Sequence, residues 1–287
     1  MQNRQLSTTH LIILLCLSVF AFSTHSIAQE KDGLLKIYFL DVGQGDSIFI
    51  EAPNGNQILV DGGPDNRVLS ELAKVMPFYD RDIDVVVASH PHADHIFGLI
   101  EVLSRYNIAN IVEAKEKYNS PVFKKWEEVV KEEGSNYIEA KSGKIVDLGN
   151  EITLTILVPF RSYDGAILKN PHEANVTVLL QYKSFRVLFT GDMEMPVERQ
   201  LLLDGKDISA DVLKVGHHGS RTSSGDSFLS SVDPDVAVIQ VGKNSYGHPT
   251  REVLSRLENY GIKYYRTDLD GTVKVVSDGE NYQIIKN

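Results

Sequence analysis

The sequence predicts a mixed α/β protein, α+β in the grouping of its elements, with two packed sheets carrying helices on their outer faces. Three observations lead there. Apolar, strand-like runs come in groups, separated by helical stretches, in both halves of the chain. Several of those runs stop in short turns rich in Gly, Asp and His, which collects the chemistry on loops at one edge of the sheets. The sharpest case is Ile83-Asp84-Val85-Val86-Val87-Ala88, which ends in Ser89-His90-Pro91-His92-Ala93-Asp94-His95. Three imidazoles and a carboxylate thus fall within six residues.

The elements follow in chain order. Residues 34–40 and 47–51 read as strands joined by a glycine turn, and 57–60 is a third strand ending in Asp61-Gly62-Gly63-Pro64. Helical spacing covers 67–76, and the strand 82–89 feeds the histidine turn. A helix over 96–106, a strand over 109–113 and a charged helix over 120–133 come next. The second half opens with strands near 136–147 and 151–158, and a polar, irregular loop occupies 160–173. Strands at 176–182 and 185–189 lead to Thr190-Gly191-Asp192, and a helix near 194–203 precedes the strand 211–215 and Gly216-His217-His218-Gly219-Ser220. A strand at 235–241, a helix at 249–260 and strands at 263–266 and 271–277 complete the pattern.

The first residues read differently. Arg4 precedes the apolar run Leu11 to Phe22, and Ser26-Ile27-Ala28 offers small residues at a cleavage site. Residues 1–28 are therefore expected to be a secretory signal peptide, cleaved near Ala28, with an uncleaved anchor as the alternative. The protein is then expected to be exported, periplasmic or extracellular, with no integral membrane domain after cleavage. The single cysteine, Cys16, lies in this leader, so residues 29–287 hold neither a disulfide nor a thiolate ligand. A formal charge of −10 gives no long-range attraction to nucleic acid. Bound divalent cations would offset that charge locally, so an anionic substrate stays compatible with it.

Any metal must be held by His, Asp and Glu. In the turn, His90 and His92 can face one side while Asp94 and His95 serve a second ion a few ångströms away. Asp192 ends an apolar strand directly after a glycine, where one carboxylate can bridge two ions. His217 and His218 are adjacent and point apart, so one can ligate while the other faces substrate or supports the site. His172, in the irregular loop, is a further candidate ligand, and His248, just before a helix, can contact an anion or shuttle a proton. The acidic glycine turns at 41–47 and 61–63 can hold the second nitrogen of a ligating imidazole.

Together these residues resemble the metallo-β-lactamase superfamily, whose HxHxDH hallmark stands here as His90 to His95. The closer resemblance is to the hydrolase domain of ComEC-type bacterial competence proteins. It is carried by DVGQGDS (41–47), DGG (61–63), HPHADHIFGL (90–99), LFTGD (188–192), ADVLKVGHHGS (210–220), VGKNSYGHPTREVLSRL (241–257) and GIKYYRTDLDG (261–271). The resemblance implies a four-layer αββα metallo-β-lactamase-like sandwich over 29–287, with two divalent metal ions, Zn²⁺ or Mn²⁺, in its cleft. It places His90 and His92 on the first ion and Asp94 and His95 on the second, with Asp192 bridging and His218 as a further ligand. His172 falls where the superfamily often has a histidine, although ComEC-like sequences often carry Asn in that neighbourhood.

The implied activity is metal-assisted hydrolysis, with Asp94 orienting the attacking hydroxide and His217 or His248 protonating the leaving group. A phosphodiesterase or nuclease-type enzyme is the leading expectation. Its substrate would be a small-molecule or polymeric phosphodiester, nucleic acid included. Hydrolysis of a β-lactam, ester or lactone on the same fold is one alternative. A non-catalytic module binding nucleic acid or cell-wall polymer is the other.

Overall fold

The computed structural model describes residues 33–286; the expected leader lies outside the described residues. Two sheets carry the chain. The first has eight strands in the order β15-β14-β1-β2-β3-β4-β5-β6, and the second has seven, β13-β12-β11-β10-β9-β8-β7. The first sheet is built from β1 (Leu35–Phe39), β2 (Ile48–Glu51), β3 (Gln57–Val60), β4 (Asp82–Val87), β5 (Asn107–Glu113) and β6 (Asn136–Glu139), closed by β14 (Val273–Ser277) and β15 (Tyr282–Lys286). The second comprises β7 (Ile145–Gly149), β8 (Ile152–Val158), β9 (Thr177–Tyr182), β10 (Phe185–Phe189), β11 (Val212–Lys214), β12 (Val236–Ile239) and β13 (Lys263–Arg266).

Strand periodicity decides how these sheets stack. In β1, Leu35, Ile37 and Phe39 enter the core shared by the two sheets, where they join Ile152, Leu154 and Ile156 of β8 with Val178, Val187 and Phe189. Tyr38 points the other way, into a second cluster under the helices α1 (Arg67–Val75), α2 (Ala93–Leu103) and α3 (Pro121–Glu133). A third cluster joins the outer face of the second sheet to α4 (Met195–Leu203), α5 (Asp226–Val232) and α6 (Arg251–Asn259). Three apolar interfaces make four layers, so the chain is an αββα sandwich. Each fully buried aliphatic or aromatic side chain contributes about 1.5–3 kcal/mol to holding those layers together.

The connections position the site. From β3 to β6 the strands run parallel and are joined through α1, α2 and α3; from β10 to β13 they are again parallel, joined through α4, α5 and α6. Helical crossovers bring successive strands back in the same direction, so their carboxyl ends gather at one edge of each sheet. Asp61 follows β3, His90 to His95 follow β4, Asp192 follows β10 and His217-His218 follow β11.

The structure differs from the sequence reading at several elements. The stretch 136–147 is two strands in different sheets, because the turn containing Gly143 carries the chain from β6 across to β7. The helix expected from residue 96 begins at Ala93, so Asp94 and His95 stand in its first turn. The loop 160–173 ends in a 3₁₀ turn, Pro171–Ala174. Helix α5, the one-turn helix α7 (Thr267–Asp270) and the edge strand β15 have no counterpart in the sequence reading; they are short, and the last has no fully buried position. No helix among the described residues is long and apolar enough to cross a membrane.

Candidate metal centre

The histidine turn is braced from below by Asp61. Its Oδ1 accepts from the Ser89 backbone N–H at 2.8 Å, and its Oδ2 accepts from Ser89 Oγ at 2.6 Å. The same Oδ2 lies 2.8 Å from His95 Nδ1, which turns His95 Nε2 toward the cleft. Close packing of α2 on this loop requires glycine at two points. A Cβ on Gly98 would overlap the Gly62 carbonyl oxygen, and one on Gly62 would overlap the backbone of Leu99. Gly62 N–H also donates to the His95 carbonyl at 2.7 Å.

The second sheet supplies the opposing wall. Asn175 Oδ1 accepts from the Asp192 N–H at 2.8 Å, while its Nδ2 donates to the Thr190 carbonyl at 2.8 Å, so one buried amide clasps the Thr190-Gly191-Asp192 turn. His217 and His218 both adopt left-handed backbone conformations, with φ of 48° and 52°. His218 Nδ1 faces the Gln240 carbonyl at 2.9 Å and Asp46 Oδ1 at 3.3 Å. Asp46 in turn pairs with Lys214, a fully buried lysine that also donates to the Gly191 carbonyl at 2.9 Å.

These supports bring the expected ligands into two groups that share one carboxylate. His90, His92, His172 and Asp192 form the first, and Asp94, His95, Asp192 and His218 the second. On the first side, His92 Nδ1 is 3.0 Å from His90 Nε2 and 3.2 Å from His172 Nε2. Asp192 Oδ2 lies 3.7 Å from His90 Nε2 and 3.9 Å from His172 Nε2. On the second side, Asp192 Oδ1 is 3.4 Å from His95 Nε2 and 3.6 Å from His218 Nε2, and Asp94 Oδ2 is 3.3 Å from His218 Nε2. Asp192 therefore presents one oxygen to each group. His217 belongs to neither; it groups with His172 and Glu194. His248 lines the cleft with its ring centroid 5.6 Å from that of His217.

The donor set fits divalent cations. His95 Nε2, His218 Nε2 and Asp192 Oδ1 are buried and, among the described residues, have no hydrogen-bond partner, although they converge on one point. Leaving three such atoms unpaired is costly, and a cation between them would satisfy all three. The carboxylates make the second group a strongly negative site. Burial pushes His218 down, but Asp192 and Asp46 outweigh it and raise it to about 10; His95 is likewise raised against its burial by Asp192 and Asp61. Burial, with the neighbouring His172, lowers His92 to about 4, so His92 offers a neutral imidazole. Asp192 is held well below the usual carboxylate range despite burial, chiefly by His218 and His95. The all-nitrogen-and-oxygen set suits Zn²⁺, Mn²⁺ or Fe.

Of the acidic turns, Asp61 and Asp46 support imidazoles of the second group, whereas the Asp41 carboxylate accepts from the Gly43 N–H at 3.4 Å. Lys214 and Glu194 escape the sequence reading. The signal for Lys214 is a lysine inside an otherwise apolar strand next to the paired histidines. The cleft beside the two groups has a volume of about 580 Å³ and is walled by Tyr118, Val122 and Tyr246.

Residues 40–243 match the family model described as the metallo-beta-lactamase superfamily. The chain belongs to that superfamily. This metallo-β-lactamase-fold chain is 29% identical over 257 residues to ComE operon protein 3 of Bacillus subtilis, covering 83% of this chain and 32% of that protein. It is 30% identical over 271 residues to Recombination protein 2 of Haemophilus influenzae, covering 92% of this chain and 31% of that one. It thus spans about a third of the length of these curated relatives. Among solved structures, Igni18, a metallo hydrolase from Ignicoccus hospitalis, superposes with a TM-score of 0.54 at 17% identity, covering 83% of this chain and 98% of that one. At that identity the likeness shows the fold.

Proposed function

We propose that this protein is an exported, metal-dependent phosphodiesterase of nuclease type. The observation that supports hydrolysis most directly is the two-sided use of Asp192, whose oxygens face separate ligand groups a few ångströms apart. His90, His92, His172 and Asp192 would hold one divalent ion, and Asp94, His95, Asp192 and His218 the other. Two such ions would supply Lewis acidity, acidifying a water and drawing charge off the phosphoryl oxygen. Asp94 reaches the cleft at the side of the second group and would accept a hydrogen bond from the attacking water, orienting it. His217 and His248 line the same cleft, and one of them would protonate the leaving oxygen.

The names of the relatives, competence and recombination proteins, favour a nucleic-acid phosphodiester over a β-lactam. The leader read at 1–28 favours export. The test is turnover of bis-p-nitrophenyl phosphate, single-stranded DNA and a chromogenic cephalosporin by protein loaded with Mn²⁺ or Zn²⁺. Phosphodiester cleavage lost in Asp94→Ala is expected. Cephalosporin turnover without phosphodiester cleavage would overturn the reading.

A further inference from the structure

Glu194 belongs to neither of the groups built on Asp192, yet its carboxylate faces two site imidazoles at once. Oε2 lies 3.7 Å from His172 Nδ1, and Oε1 lies 3.7 Å from His217 Nδ1. Each ring presents its other nitrogen to the same oxygen: Asp192 Oδ2 is 3.9 Å from His172 Nε2 and 3.6 Å from His217 Nε2. The carboxylate is anchored at both ends. Asn170 Nδ2 donates to Oε2 at 3.0 Å, and Thr222 Oγ1 donates to Oε1 at 2.9 Å. One side of this arrangement is incomplete, because the buried His217 Nδ1 has no hydrogen-bond partner among the described residues. At 3.7 Å neither imidazole contact is yet a hydrogen bond, but a movement of less than about 1 Å would make each one.

We infer that Glu194 is a shared positioning residue, accepting Nδ1–H from both His172 and His217 and so turning both Nε2 atoms toward Asp192. This rests on the two-cation reading and deepens it. A neutral imidazole that donates through Nδ1 has a bare Nε2, which can ligate or accept but cannot donate. His217 is then an acceptor on the side of the first group, and the proton for the leaving group falls to His248.

Glutamine at 194 separates this role from simple packing. Its single carbonyl oxygen can serve one ring only. Asn170 donates to one end, so the oxygen stays on the His172 side and the amide NH₂ turns to His217. That NH₂ donates to His217 Nδ1, since Thr222 Oγ1 can accept as well as donate, and the ring is driven into the opposite tautomer.

The experiment is a long-range ¹H–¹⁵N correlation spectrum of histidine-labelled protein, without metal and loaded with Zn²⁺, beside metal analysis of the same samples. In the wild-type protein His172 and His217 are expected as Nδ1–H tautomers. In Glu194→Gln, His172 and His95 keep their tautomer, His217 converts to Nε2–H, and the ion of the first group, whose His172 exchanges a carboxylate partner for a carboxamide, binds roughly tenfold more weakly. Thr222→Val keeps the carboxylate and is expected to keep both tautomers. An Nε2–H tautomer of His217 in the wild-type protein, or no conversion in Glu194→Gln, overturns the inference. So does a third ion per chain that Glu194→Gln removes, which would make Glu194 a ligand. A wild-type protein that takes up no metal would instead remove the two-cation reading, while its metal-free spectrum would still report on Glu194.

Discussion

Asp192 and Glu116 show two fates for a buried carboxylate. Asp192 is surrounded by imidazoles, which hold it in the charged form against the cost of burial. Glu116 is only 5% exposed and, among the described residues, its carboxylate meets no donor beyond its own backbone amide, so burial dominates and raises it to about 8 from an ordinary 4.5. The sign of the pH effect follows. Between those values the folded chain keeps a proton that the unfolded chain has lost, so stability falls as pH rises through this window. The contribution is fully present below the unfolded value and is lost through the folded one, with a slope of at most about 1.4 kcal/mol per pH unit. Glu116→Gln is neutral throughout. Denaturant titrations at acidic, neutral and alkaline pH should show the variant gaining on the wild type as pH rises; a constant difference would mean that Glu116 is charged in the folded chain.

At the scale of elements, the site depends on how closely α2 lies on the loop after β3. Gly62 and Gly98 meet backbone to backbone, and that contact sets where the first turn of α2, with Asp94 and His95, stands. Gly98→Ala adds a methyl group that the Gly62 carbonyl cannot accommodate without moving the helix. Overpacking of this kind costs about 1–3 kcal/mol. The expected outcome is a lower melting temperature together with weaker binding at the second ligand group, read by thermal unfolding and by metal titration. Full metal affinity in Gly98→Ala would mean that the helix can shift without disturbing Asp94 and His95.

At the scale of the molecule, the two ligand groups draw on both sheets. His90 to His95 follow β4 in the first, while Asp192 and His218 follow β10 and β11 in the second. Bound cations would therefore tie the sheets together at one edge, and their removal is a stability measurement as well as an activity measurement. A ligand present at a hundred times its dissociation constant stabilises the folded state by about 2.7 kcal/mol. In a chain of this size that corresponds to a fall of roughly 5–10 °C in Tm on chelation. An unchanged Tm in chelator would argue that neither group holds a cation.

The sequence by itself determined the alternation of strands and helices, the metal-competent turn at 90–95 and the separate candidates at 172, 192 and 217–218. Those features are local: side-chain period and turn chemistry are written in neighbouring residues. It did not determine that β6 and β7 lie in different sheets, that Asp46 rather than Asp41 supports an imidazole, or that Lys214 and Glu194 face the site. Only the tertiary structure decided these, because each depends on contacts between residues far apart in the chain. The pairing of Lys214 with Asp46 and the placement of Glu194 between His172 and His217 arise when the carboxyl ends of two sheets meet at one edge, and no local pattern encodes that meeting.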